Sequence, residues 1–73
     1  PALEAVGFVP GAGFKVRLKQ APQGVFRIYG STDLSTWVDL GLATPVGADQ
    51  EFIDTRAPQG AGAKRFYRAV QEM

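Results

Sequence analysis

The alternation of apolar and charged residues constrains the fold of this chain more than any other feature. In the segment FKVRLK, residues 14–19, every apolar side chain is followed by a Lys or an Arg. Successive side chains of a strand point to opposite faces, so a period of two predicts a strand with one buried face and one basic face. Similar short segments predict strands near 3–9, 14–19, 25–30, 37–43, 50–55 and 65–70.

Clusters of Pro, Gly and small residues separate these segments. They are PGAG (10–13), APQG (21–24), PVGAD (45–49) and APQGAGA (57–63). Short strands divided by turn signals about every 8–12 residues are typical of an all-β sandwich or small barrel. We predict an all-β fold, a small two-sheet β-sandwich of about six strands.

The composition excludes several classes of function. The chain has 73 residues, enough for one domain, and its net charge of +1 lacks the basic excess typical of nucleic-acid-binding domains. It contains no Cys and no His, which removes thiol nucleophiles, disulfides and the usual zinc ligands and general base. We therefore expect no catalytic residues, no metal, no cofactor and no nucleic-acid partner.

Two further patterns concern membranes and export. No apolar run approaches the roughly 18–20 residues of a membrane span. The first ten residues, PALEAVGFVP, contain the acidic Glu4 and no basic residue, unlike a signal peptide. We interpret residues 1–73 as a single domain that is part of, or excised from, a larger protein.

The segment GSTDLSTW, residues 30–37, raises the possibility of a catalytic loop. Asp33 is flanked by hydroxyl side chains and precedes Trp37, the single Trp. A Ser–Asp pair without a general base is a weak nucleophile. A loop Asp more commonly accepts hydrogen bonds from backbone N–H groups two or three residues on. We interpret the segment as a structural corner, in which Asp33 holds the backbone and Trp37 covers the end of the core.

The remaining charges have a structural and a functional interpretation. Asp39, Asp49, Glu51 and Asp54 are interpreted as acids that solvate turns, with Ca²⁺ binding by Asp49 and Glu51 as the alternative. The Lys and Arg of residues 14–19 form a basic outer face that would be able to contact an anionic polysaccharide. A solvated strand face, which also discourages edge-to-edge aggregation, is the more usual explanation.

The order of these segments resembles that of small fibronectin type III-like sandwich modules near the C-termini of exported Verrucomicrobia and Planctomycetes proteins. The pieces that carry the resemblance are STDL-x-x-W (31–37) and RFYR (65–68), within a match over roughly residues 3–70. The chain departs from the pattern at Leu18, where the family often has Trp, and at Gly30, where it often has an aromatic residue.

The resemblance implies two sheets. One would contain the strands near 3–9, 14–19 and 50–55, and the other the strands near 25–30, 37–43 and 65–70. By analogy with the tyrosine corner of such folds, Tyr67 would point inward. The expected core consists of Phe14, Val16, Leu18, Phe26, Ile28, Leu40, Phe52 or Ile53, and Tyr67.

An inward Tyr67 has a consequence for the outer surface. Arg27, Tyr29, Phe66 and Arg68 would then point outward from two neighbouring strands. Exposed aromatic residues flanked by Arg can stack on sugars or anchor a protein interface. The alternative is a one-residue slip at a bulge, which would bury Phe66 and expose Tyr67.

These observations predict a non-catalytic module of an exported bacterial protein, extracellular or at the cell surface, that acts as a spacer, docking or surface-assembly domain. The resemblance also implies that the chain ends one strand short of the complete fold, so the strand at 65–70 would be an edge able to pair with another chain or domain. The alternative function is carbohydrate binding through Tyr29 and Phe66. A small hydrolase has the least support.

Overall fold

The computed structural model describes residues 2–21, 23–56 and 65–72. These residues form seven strands: β1 (Ala2–Val9), β2 (Gly13–Lys19), β3 (Val25–Ser31), β4 (Val38–Leu42), β5 (Thr44–Val46), β6 (Asp49–Asp54) and β7 (Phe66–Glu72). All pairings are antiparallel. One sheet has the order β1-β2-β6-β5 and the other β4-β3-β7. The prediction of an all-β fold with two sheets is confirmed. Among the described residues there is no helix that is long and apolar enough to cross a membrane.

The two sheets contain the strands that were expected together. The one departure is β5, which was interpreted as part of the turn PVGAD and raises the number of strands to seven. Pro45 lies in the middle of β5, where a residue without an N–H group is tolerated only at a sheet edge. In the described part of the chain β5 pairs with β6 alone, so it occupies such an edge.

The inner face of the four-stranded sheet follows from the pairing of β2 with β6. Val16 lies opposite Phe52, and Leu18 lies opposite Gln50. Lys15 lies opposite Ile53, which puts Ile53 on the outer face. Phe52 is therefore the core residue of the two candidates at that point, because paired residues of antiparallel strands share a face.

The core between the sheets is small. Its most buried apolar residues are Val16 (1% exposed), Leu18 (4%), Ala21 (3%), Phe26 (7%) and Ile28 (1%). The other expected core residues, Phe14, Leu40, Phe52 and Tyr67, are half-buried. A short chain buries a limited fraction of its surface, so each of these side chains carries a large share of the stability.

Acidic residues of β6 compensate the basic outer face of β2. Glu51 contacts both Lys15 at 3.3 Å and Arg17 at 2.9 Å, and Asp49 lies 3.9 Å from Lys19. The hydrogen bonds from Arg17 and Lys15 hold the pKa of Glu51 below its usual value. Asp49 and Glu51 thus form ion pairs across strands and offset part of the positive charge of this face. Asp49 Oδ1 also accepts the N–H of Gln20 in the turn after β2 at 3.0 Å, as expected of a turn acid.

Candidate functional site

The segment 30–37 forms a hydrogen-bonded corner after β3. The Ser31 hydroxyl accepts the N–H groups of Asp33 (3.2 Å) and Leu34 (2.8 Å) and donates to Oδ1 of Asp33 at 3.0 Å. The same Oδ1 accepts the N–H groups of Thr36 (2.8 Å) and Ser35 (2.9 Å). These hydrogen bonds, that from Thr36 first, lower the pKa of the Asp33 carboxyl. The carboxylate is occupied in holding the backbone.

Trp37 lies on the outer face of the three-stranded sheet. It stands two residues before Asp39, which pairs with Tyr29, and side chains two apart in an extended chain point the same way. Its ring contacts the guanidinium of the exposed Arg68, with 4.6 Å between Cζ and the ring centroid. This corrects the expectation that Trp37 covers the end of the core.

The outer face of the three-stranded sheet brings the predicted surface residues together. In the pairing of β3 with β7, Tyr29 lies opposite Arg68 and Ser31 lies opposite Phe66, which is 38% exposed. We call this set the aromatic–arginine surface. It consists of Arg27, Tyr29, Trp37, Phe66 and Arg68.

Arg68 is the centre of this surface. Its guanidinium carbon lies 5.6 Å from the Tyr29 ring centroid, in addition to its contact with Trp37. Such cation–π contacts contribute about 0.5–1 kcal/mol each at exposed sites. They place the guanidinium over two rings, and no residue in the described ranges forms an ion pair with it.

Arg27 has a different role on the same face. Its Nε donates to Glu72 Oε1 at 2.7 Å, and its Nη1 donates to Asp39 Oδ2 at 2.9 Å. The hydrogen bond to Glu72, followed by the one to Asp39, raises the pKa of Arg27. Arg27 thereby links β3 to β4 and β7. Asp39 belongs to this network and does not serve as a turn-solvating acid.

Tyr67 points between the sheets, opposite in direction to Phe66 and Arg68. Its ring stacks on Phe14 with centroids 5.9 Å apart, and its hydroxyl donates to Asp54 Oδ2 at 2.8 Å. Burial, followed by the hydrogen bond to Asp54, raises the pKa of Tyr67 above its usual value. The one-residue slip that would expose Tyr67 and bury Phe66 does not occur.

Asp54 is far more buried than the sequence interpretation predicted. It was expected to solvate a turn, and its Oδ1 does accept the N–H of Arg56 in the turn after β6, but the residue is 2% exposed and its Oδ2 lies inside the sandwich. Arg65 Nε lies 2.9 Å from Asp54 Oδ2, close enough for an ion pair, although its N–H bond is not directed at the oxygen. The available signal was parity, because Asp54 is two residues after the inward Phe52.

Gly30 provides the space that Arg65 occupies. A Cβ atom at Gly30 would lie 2.9 Å from both Arg65 Nε and Leu40 Cδ1. The family that this sequence resembles often has an aromatic residue at this position. Here the guanidinium of Arg65 and the side chain of Leu40 occupy the space that such a side chain would need.

An open groove lies between the edges of the two sheets. It has a volume of about 240 Å³ and is lined by Leu3, Glu4, Ala5, Val16, Arg65, Phe66 and Tyr67. Its walls are mostly apolar. Asp49 and Glu51, which were considered for Ca²⁺, lie on the outer face of the four-stranded sheet and pair with Lys and Arg of β2. The described ranges contain no cluster of three or more acidic, His or Cys residues suited to a metal ion.

No protein-family model matches the chain, and no curated protein or solved structure gives a significant match.

Proposed function

We propose that this chain is a non-catalytic interaction module of an exported bacterial protein. The observation that carries the proposal is a group of exposed apolar side chains on the same outer face as the aromatic–arginine surface. Leu42 (48% exposed) and Val70 (43%) flank Arg27 in register, and Phe66 lies on the same face. Exposed apolar and aromatic side chains next to Arg are enriched where proteins bind one another.

The strand order supports a fibronectin type III-like or immunoglobulin-like type. The four-stranded sheet runs first, second, sixth and fifth in the chain. If β4 is counted as the extra strand after the third, this order corresponds to A-B-E-D of the immunoglobulin sandwich, with β3 and β7 as C and F. Modules of this architecture commonly serve as spacers and docking domains, in keeping with an extracellular or cell-surface location.

Photo-crosslinking tests the proposed interaction face. A photoreactive phenylalanine analogue replaces Val70 in one sample and Val46 in another. Both are valines of edge strands with similar exposure, 43% and 49%, but they lie on different sheets. We expect a discrete crosslinked product from position 70 and none from position 46 in the intact parent protein. The same products from both positions, or none from either, would refute the proposed face.

Carbohydrate binding is the second candidate function. It is favoured by Trp37, which adds an indole beside Tyr29, and opposed by Arg68, which covers the ring faces on which a sugar would stack. Since Trp37 is the single Trp, its fluorescence reports on this face alone. We expect no change on titration with a panel of polysaccharides. A saturable change that is lost in Tyr29→Ala would favour this function over the first.

A further inference from the structure

The edge of β7 is open to pairing within the described residues. β7 pairs with β3 along its whole length, and β3 pairs with β4 on its other side. The backbone N–H and C=O groups on the far edge of such a strand form a template for another extended chain. The question is which strand complements this edge.

The outward side chains of β7 form a pattern that complements itself. Reading along the strand, they are Arg68, Val70 and Glu72, a cation and an anion on either side of an apolar residue. In an antiparallel pair the order of the second strand is reversed. Two copies aligned with Val70 opposite Val70 therefore place Arg68 of each copy opposite Glu72 of the other.

Neighbouring registers are less favourable. Alignment with Arg68 opposite Arg68 brings like charges together, which is destabilising in a cross-strand pair. Alignment with Ala69 opposite Ala69 sets Arg68 against Val70 and Phe66 against Glu72, so each charge faces an apolar side chain. The alignment on Val70 is the one that matches both charge and polarity.

Both charged groups already have contacts within their own sheet. The Arg68 guanidinium lies over Tyr29 and Trp37, on the β3 side of β7, so it must turn from these rings toward the free edge to meet Glu72 of a second copy. This rearrangement weakens the dimer. Glu72 offers Oε1 to Arg27, while within the described residues its Oε2 accepts no hydrogen bond. An arginine from a second copy can therefore bind Glu72 without displacing Arg27.

We infer that β7 is a self-association edge at which two copies of this chain pair antiparallel about Val70. The product is a dimer with two-fold symmetry, in which the three-stranded sheets of the two copies join into a single six-stranded sheet. The inference rests on the proposed function as an interaction module and names its partner as a second copy. Because only residues 68–72 pair, the interface is small and the dimer weak, with a dissociation constant on the order of 0.1–1 mM.

Charge reversal tests the register directly. Arg68→Glu places acid against acid in its own dimer, and Glu72→Arg places base against base. Mixed with each other, the two variants restore both ion pairs. By sedimentation equilibrium up to about 3 mM, well above the expected dissociation constant, we expect the wild-type chain to dimerise. Each variant alone should dimerise at least about tenfold more weakly, and the equimolar mixture should recover the wild-type dimer content.

Arg56→Glu is the matched control, since Arg56 is exposed and lies outside β7. It should dimerise as the wild type does, and circular dichroism should show all variants folded. If a reversed variant does not fold, the amide shifts of the wild-type chain on dilution decide instead, and we expect them to concentrate in residues 68–72. A wild-type monomer throughout, a mixture that does not recover, or shifts centred elsewhere would overturn the inference.

The result also separates this inference from the proposed function. If the charge-reversal experiment fails while position 70 still crosslinks to a different protein, the face binds a partner other than itself and only the inference is lost. If position 70 gives no crosslink and the chain does not self-associate, both are lost.

Discussion

Asp54 connects the two sheets through polar contacts. Its Oδ2 binds the Tyr67 hydroxyl and lies beside Arg65, and its Oδ1 accepts the N–H of Arg56 at 3.0 Å. Removing a carboxylate from water costs several kcal/mol unless a cation and hydrogen-bond donors replace the water. Arg65 supplies the cation here, and the Tyr67 hydroxyl and the Arg56 N–H are the donors. These contacts mainly offset the cost of burial, so the cluster positions β7 over β6 more than it adds net stability.

Two substitutions distinguish the parts of this cluster. Asp54→Ala leaves Arg65, whose side chain is 17% exposed, without its counter-charge, and should lower the free energy of unfolding by about 3–5 kcal/mol. Tyr67→Phe removes one hydrogen bond to a charged group and should cost about 1.5–3 kcal/mol. Urea unfolding measures both. A cost for Tyr67→Phe equal to that for Asp54→Ala would contradict the central role of Asp54.

At the scale of elements, the β1–β2 hairpin lies close against the end of β6 at Gly13. A Cβ atom there would overlap the carbonyl oxygen of Asp54, and the backbone φ of 148° lies in a region that favours glycine. Gly11, in the turn between the two strands, also has a positive φ of 76°, but a Cβ atom there meets nothing within 4 Å. A substitution at Gly11 would therefore introduce backbone strain alone, whereas one at Gly13 would introduce both strain and steric overlap.

Alanine substitution at both positions tests this difference. Gly11→Ala should cost about 1–2 kcal/mol from conformational strain alone. Gly13→Ala should cost about 1–3 kcal/mol more, because the hairpin must move away from β6. Thermal and urea unfolding report the two values. If Gly11→Ala proves as costly as Gly13→Ala, the close approach to β6 does not restrict the hairpin.

β3 and β7 show how far sequence patterns reach at this scale. Their alternation is sufficient to group Tyr29, Phe66 and Arg68 on one face, as the structure has them. Trp37 was expected to cover the end of the core, although its spacing of two from Asp39 in the predicted strand at 37–43 was a usable signal for the outer face. β5 was missed because Pro45 is a turn signal as well as an edge-strand residue.

For the whole molecule, two carboxylates, one in the corner after β3 and one on β6, link stability to pH. Asp33 and Glu51 both have pKa values below their ordinary values of about 3.9 and 4.3. A group whose pKa is lowered on folding stabilises the folded state above its unfolded pKa. That stabilisation is lost as the pH falls through the folded pKa. The two groups therefore favour folding at neutral pH and cease to do so in acid.

The combined variant Asp33→Asn, Glu51→Gln tests this linkage. It should be less stable than the wild type at pH 7, and its unfolding midpoint should fall less steeply between about pH 5 and pH 2. Thermal unfolding at a series of pH values provides the comparison. Parallel curves for the two proteins over that range would show that other groups govern the acid sensitivity.

The sequence by itself determined the class of fold, the positions of six strands and the inward face of most of them. These follow from the alternation of neighbouring residues and from turn residues, which are local properties of the chain. The absence of Cys and His from the chain was equally a matter of sequence.

Only the tertiary structure decided which charged and aromatic groups meet. Arg17 and Glu51 are 34 residues apart in the chain, and Arg27 and Glu72 are 45 apart, so no local pattern connects them. The same holds for Asp54 with Tyr67, and for Trp37 with Arg68. Alternation assigns a side chain to a face, but its partner depends on strand order and register, which exist only once the sheets have formed.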